Sequence, residues 1–122
     1  MIEEDIRLAI IGNVGIAAIV STRVFIDNPL NEQSGPYIVF AKVDRRRDMV
    51  SDHSRFKFFV YDSNKTQLLS LVELIVALFE GVKRLNNQNY YSVSLLNNFN
   101  GQEMLKNGMY WSVLEYEFKK TT

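Results

Sequence analysis

The 122-residue sequence contains no cysteine. That excludes disulfides, thiolate metal sites and cysteine nucleophiles. It has no surplus of charge of either sign, with 14 basic residues against 14 acidic ones. Dedicated nucleic-acid binders usually carry a basic excess, because neutralising phosphates supplies much of their affinity. No apolar run is long enough to span a bilayer, so no membrane association is expected. The first residues include Glu3, Glu4 and Asp5 rather than a basic segment followed by an apolar stretch, so a secretory signal is not expected. Without secretion, the sequon Asn64-Lys65-Thr66 carries no weight. There is no phosphate-binding loop, dinucleotide fingerprint or zinc spacing. No internal repeat or low-complexity segment appears, and no cofactor or metal is expected.

Hydrophobic residues make up 47% of the chain, including eight Phe, six Tyr and one Trp. A chain of this length can hide roughly two-thirds of its unfolded surface. One domain covering residues 1–122 is therefore expected.

The spacing of Ile2, Ile6, Ala9 and Ile10 predicts a helix over 2–11, with its acids at the positive end of the dipole. Gly12 and Asn13 break it, and "VGIAAIV" (14–20) suits a short second helix. "TRVFI" (22–26) is β-branched and aromatic enough for a strand. Residues 27–36 read as a loop. "YIVFAKV" (37–43) and "RFKFFVY" (55–61) read as strands. Leu68, Leu71, Val72, Ile75, Leu78 and Phe79 form one apolar stripe and predict a helix over 65–80. Asn64 and Gln67 resemble its capping box, and Gly81 stands at its end. Strands are expected from Tyr90 and over 109–118, joined by a turn at Asn107-Gly108. Asn97, Asn98, Asn100 and Gly101 predict a bulge or wider loop. The class is α+β: a mixed or antiparallel sheet of about four to five strands, helices on one face, in the order α-α-β-β-β-α-β-β.

Three features invite a functional reading. Arg45, Arg46, Arg47, Asp48 and His53 form a dense charged cluster, and His53 is the chain's one histidine. As a solvated hairpin tip with its own counter-ions the cluster has no function. As an interface it contacts a neighbouring subunit or passing phosphates. "SDHS" (51–54) holds the residue types of a hydrolytic triad, but triads are assembled from separated segments and adjacent residues point apart. "GNVG" (12–15) resembles the GxxG backbone clamp of KH domains but lacks its basic residue. The plainer reading is a helix terminator followed by a second turn. Tyr90, Tyr91, Tyr110, Trp111 and Tyr116 suit a binding platform, core packing or subunit contact equally.

The run "VSTRVFIDNPLNEQSGPYIVFAKVDR" resembles the phage tail-terminator or tail-completion family, the head–tail joining proteins of long-tailed phages. The matching pieces are Arg23-Val24-Phe25, then a proline-bearing loop, then Pro36-Tyr37-Ile38-Val39-Phe40. "SRFKFFVYDSNKTQLLSLVELIVALFE" resembles that family's strand, polar turn and long helix. The likeness runs from about Asp5 to Phe118 and rests on order and spacing. It implies a non-enzymatic structural virion protein in the phage neck, assembled in the host cytoplasm. It implies a ring, typically a hexamer, that caps the tail tube and meets the head connector or stopper, with DNA passing through the lumen unbound. Such a ring requires an interface that closes by rotation, and the 44–53 loop is expected to contact a neighbouring subunit or the tube. Two other classes remain open. One is a nucleic-acid module using the GxxG turn and the Arg45–Arg47 loop; the other is a small enzyme or metabolite-binding domain around His53.

Overall fold

A computed structural model describes residues 2–27, 35–47, 49, 51–84, 90–101, 104, 105 and 108–121. The elements are α1 (Ile2–Ile11), α2 (Val14–Val20), β1 (Val24–Ile26), β2 (Tyr37–Arg47), β3 (Ser51–Asp62), α3 (Lys65–Phe79), β4 (Gly81–Arg84), β5 (Tyr90–Asn100) and β6 (Tyr110–Thr121). The expected α+β order is present, with one short strand, β4, added after α3. The expected loop over 27–36 falls mostly, at 28–34, outside the described residues, as does Asn107 of the expected turn. Gly108 of that turn has φ +81°, the left-handed backbone that glycine tolerates.

Helix boundaries follow from side-chain chemistry. Gly12 and Asn13 end α1, and the Asn13 side-chain oxygen accepts the Ile16 N–H at 3.0 Å to cap α2. The GNVG stretch is thus a helix stop and a helix start. Asn64 does the same for α3, accepting the Gln67 N–H at 3.0 Å. Past Glu80, Gly81 turns the chain with φ +81° and leads directly into β4.

The strands form one mixed sheet in the order β1-β2-β3-β6-β5-β4. Among the described residues, only β1 pairs parallel, with β2; the other four pairings are antiparallel. Strict alternation along β3 and β6 assigns their side chains to two faces. Phe56, Phe58, Val60, Leu114, Tyr116 and Phe118 are buried beneath the helices with Phe40. Phe58 lies at the centre, its ring centroid 5.3 Å from Phe40, 5.6 Å from Phe79 and 5.8 Å from Tyr116. Ile6, Ile10, Ile16, Leu71 and Ile75 close this core from the helix side.

The opposite face carries no helix among the described residues. It has a smaller apolar cluster of Tyr37, Val39 and Met109, with Phe25, Phe59 and Tyr61 against them. Tyr37 and Tyr61 stack at 4.7 Å. Phe99 meets Trp111 at 5.5 Å on the same face.

Two irregularities set what each face presents. Register shifts between Lys42 and Asp44 on β2, and between Leu95 and Asn97 on β5. Each inserts one residue and reverses the alternation beyond it. The Asn-rich stretch is therefore a strand with a bulge, as its composition predicts.

One expectation is corrected here. Residues 44–47 and 51–53 are not a loop. β2 and β3 continue through them, with Arg45 opposite Ser54, Arg46 opposite His53 and Arg47 opposite Asp52. Charged residues do not break a strand whose neighbours supply its hydrogen bonds, and tertiary pairing overrides their weak β-propensity.

Candidate functional site

β2, β3 and β6 run on past the first residues of α1 and form a charged end to the sheet. Alternation there separates the three arginines. Arg45 and Arg47 lie on the helix side, level with Ser54 and Asp52. Arg46 lies on the open side, level with His53. Arg45 and Arg47 thus share one side, and Arg46 faces the other. Asp48 lies outside the described residues.

On the helix side, Arg45 grips Asp52 with two hydrogen bonds, Nε to Oδ1 at 3.0 Å and an Nη to Oδ2 at 2.6 Å. Arg47 adds a contact to the same carboxylate at 3.7 Å. Lys42 reaches Glu3 of α1 at 3.6 Å. Hydrogen bonding from Arg45 holds the Asp52 carboxyl below the usual range, and the Arg45 guanidinium is held more firmly protonated in turn. A cleft of about 450 Å³ lies between these groups, with Phe118 and Tyr91 in its lining. Its walls carry both signs of charge, so it has no strong preference for an anion.

On the open side, Arg55 makes a fork to Asp44, one arm at 2.9 Å from Nε to Oδ1 and the other from an Nη to Oδ2. It also reaches Glu115 at 3.6 Å. The Arg55 hydrogen bonds hold the Asp44 carboxyl below its ordinary value. Ser51 Oγ lies 2.9 Å from His53 Nε2, and His53 Nδ1 lies 3.3 Å from Glu117 Oε1. Sequence reasoning missed this chain, which has the connectivity of a hydrolytic triad. Adjacent residues do point apart, but Ser51 and His53 are two apart on one strand and share a face. Ser51 is only 2% exposed and His53 9%. A nucleophile needs an approach for its substrate; this hydroxyl is closed off, and the imidazole joins β3 to β6. No group of three or more metal-ligating side chains is gathered among the described residues.

The aromatic platform does not assemble. Tyr91 and Tyr116 are buried in the helix-side core, Tyr110 packs against it, and Trp111 lies on the open face. The side chain of Tyr90 lies outside the described residues. Gly101 backs directly onto Trp111: a Cβ there would lie 2.2 Å from Cε2 of the indole. At the far end of β3, Asp62 is 1% exposed. Its Oδ1 accepts the Asn64 N–H at 2.9 Å, and burial pushes its pKa up.

No protein-family model and no curated protein sequence matches this chain. Solved structures do share its fold. One is a chain from the "Virion of native gene transfer agent (GTA) particle", with a TM-score of 0.71 and 14% identity, covering 99% of this chain and 92% of that one. At that identity the likeness establishes the fold.

Proposed function

We propose that this chain is a structural virion protein that forms a ring, of about six copies, capping a phage tail tube and joining it to the head connector. The observation that carries the reading is the end-to-end likeness to a virion chain, with almost nothing left over on either side. Residues 1–122 then act as a single domain. The partners are copies of the chain itself, the tail tube protein and the head connector or stopper, with DNA passing through the lumen without specific contacts. The protein works in the neck of the particle and is assembled in the host cytoplasm.

The charge arrangement supports this reading over nucleic-acid binding. Arg45 and Arg55 are committed to Asp52 and Asp44 through bidentate pairs, so a phosphate would have to displace a carboxylate. Asn13, the middle of the GxxG turn, is a helix cap rather than a clamp. Networks of this kind favour register and partner choice over raw affinity.

Deleting the gene should yield tails of irregular length or tails not joined to heads, visible by electron microscopy of lysates. Reversing Arg45, Arg46 and Arg47 to Glu should reduce joining while the protein still folds. Normal particles from the deletion strain would end the proposal; normal joining by the reversed variant would remove the arginines from the interface.

A further inference from the structure

The sheet ends on two half-covered edges. On one side, β1 pairs only with Ile38, Val39 and Phe40 of β2. Among the described residues, no strand flanks Ala41–Arg47. On the other side, β4 pairs only with Tyr90, Tyr91, Ser92 and Val93 of β5. No described strand flanks the outer edge of Ser94–Asn100. The two uncovered stretches are of equal length. They lie on opposite sides of the sheet and run in opposite directions, because β2–β3, β3–β6 and β6–β5 are all antiparallel.

The β5 stretch is unguarded. No charged residue and no proline occurs from Ser92 to Asn100. Leu95, Leu96 and Phe99 are 43%, 46% and 57% exposed there. Monomeric proteins blunt such edges with charge, proline or a covering element, because unpaired N–H and C=O groups recruit strands. The single bulge at Leu96 leaves regular backbone on both sides of it.

We infer that this edge of β5 receives β2 of a second copy, Lys42–Arg47 pairing antiparallel with Leu95–Asn100, head to tail. The inference rests on the ring reading and names the surface that closes the ring. Equal length and opposite sense make the two edges mutual templates. Their ends also match. Along β6, Arg47 is level with Lys120 and Leu95 with Tyr116, while Lys42 is level with Tyr116 and Asn100 with Ser112. The two stretches are therefore offset by the same amount at both ends. Residues opposite one another across two strands share a face, so the step has to be an even number of residues; about four residues, roughly 13 Å at the usual rise per residue, is the smallest at which β4 of one copy clears the end of β2 in the next. β1 then clears the end of β5 in the same way. A constant step of this kind is what tilts strands and closes a sheet into a ring. Each copy offers one edge of each type, so the contact is heterologous and repeats until it closes. At that step Arg46 stands opposite Asn97 on the open side and Arg45 opposite Asn98 on the helix side. That gives the arginine run a neighbour that is polar without repelling it.

Because the chain has no cysteine, single-cysteine variants report pairing cleanly. Arg46→Cys is to be mixed with Ser94→Cys and, separately, with Asn97→Cys. All three positions are exposed, so folding is not at risk. Val14→Cys, on the helix layer and 86% exposed, serves as the control partner. Mild oxidation follows, with and without tail tube protein, and ring formation is scored in parallel by electron microscopy. The expected result is a β2–β5 disulfide dimer in at least one mixture and none with Val14→Cys, since the bond forms only where Cα atoms lie within about 7 Å. Rings that form without any β2–β5 disulfide would overturn this inference and leave the ring reading standing. Absence of both rings and disulfides would overturn the two together.

Discussion

Replacing Gly101 by Ala tests the packing of the open face through one atom. The φ of Gly101 is not in the left-handed region, unlike those of Gly35, Gly81 and Gly108. At such a position Gly→Ala ordinarily stabilises by about 0.4–1 kcal/mol, by restricting the unfolded chain. Here the added Cβ would meet three indole atoms of Trp111, at 2.2, 2.4 and 2.7 Å. Carbon atoms pack at about 3.5–4.0 Å, so the shortfall is more than an ångström against a rigid ring. Overpacking of this kind costs about 1–3 kcal/mol. The net sign is therefore reversed, to a loss of about 1–2 kcal/mol, or a fall in Tm of about 4–8 °C for a domain of this size. In a Trp111→Ala background the obstacle is gone and the same change should be neutral or stabilising. The coupling from the double-mutant cycle should be about 1–3 kcal/mol. Thermal melts by circular dichroism supply all four corners. Trp111 is the chain's one tryptophan, so its emission should shift in Gly101→Ala alone. Equal costs in the two backgrounds would refute the steric argument.

Other changes should follow from burial and charge. Tyr116 is 1% exposed, its hydroxyl has no hydrogen-bond partner among the described residues, and burial pushes its pKa up to about 12. Tyr116→Phe should therefore be neutral or stabilising, by about 1 kcal/mol; a loss of that size in urea melts would reveal a partner for the hydroxyl. Asp52 is held below the ordinary carboxylate value of 3.8 by Arg45. Its contribution is present above that value and lost as pH falls through the lower folded one. Asp52→Asn should thus destabilise at pH 7 and match the unsubstituted protein in strong acid. Asp62 has the opposite sign, because burial raises its pKa. Its native-state advantage is full below 3.8 and lost as pH rises through the raised value, so Asp62→Asn should gain most at neutral pH. Melting temperatures recorded from pH 2 to 8 separate the two; parallel curves would contradict both.

Much of the fold was legible because its signals are local. The isoleucine spacing of α1, the leucine stripe of α3 and the caps at Asn13 and Asn64 each need only a few neighbouring residues. The alternation of β6 told its buried face from its exposed one. What was not legible depends on partners far along the chain. Residues 44–47 are charged and look like a loop; they are strand because β3 continues beside them. β4 is too short and too polar to declare itself without β5. The candidate site was legible as a charged cluster but not as an arrangement. The bulge at Val43 decides which arginine faces which side, and no residue there announces it. The Ser51–His53–Glu117 chain needed β6 to be placed beside β3. Half of it was present in the i, i+2 spacing of Ser51 and His53.

The most direct measurement is the solution mass of the purified protein, alone and with tail tube protein, by light scattering and electron microscopy. The account predicts closed rings of a single size, at least in the presence of tube protein. A protein that stays monomeric under both conditions would contradict it.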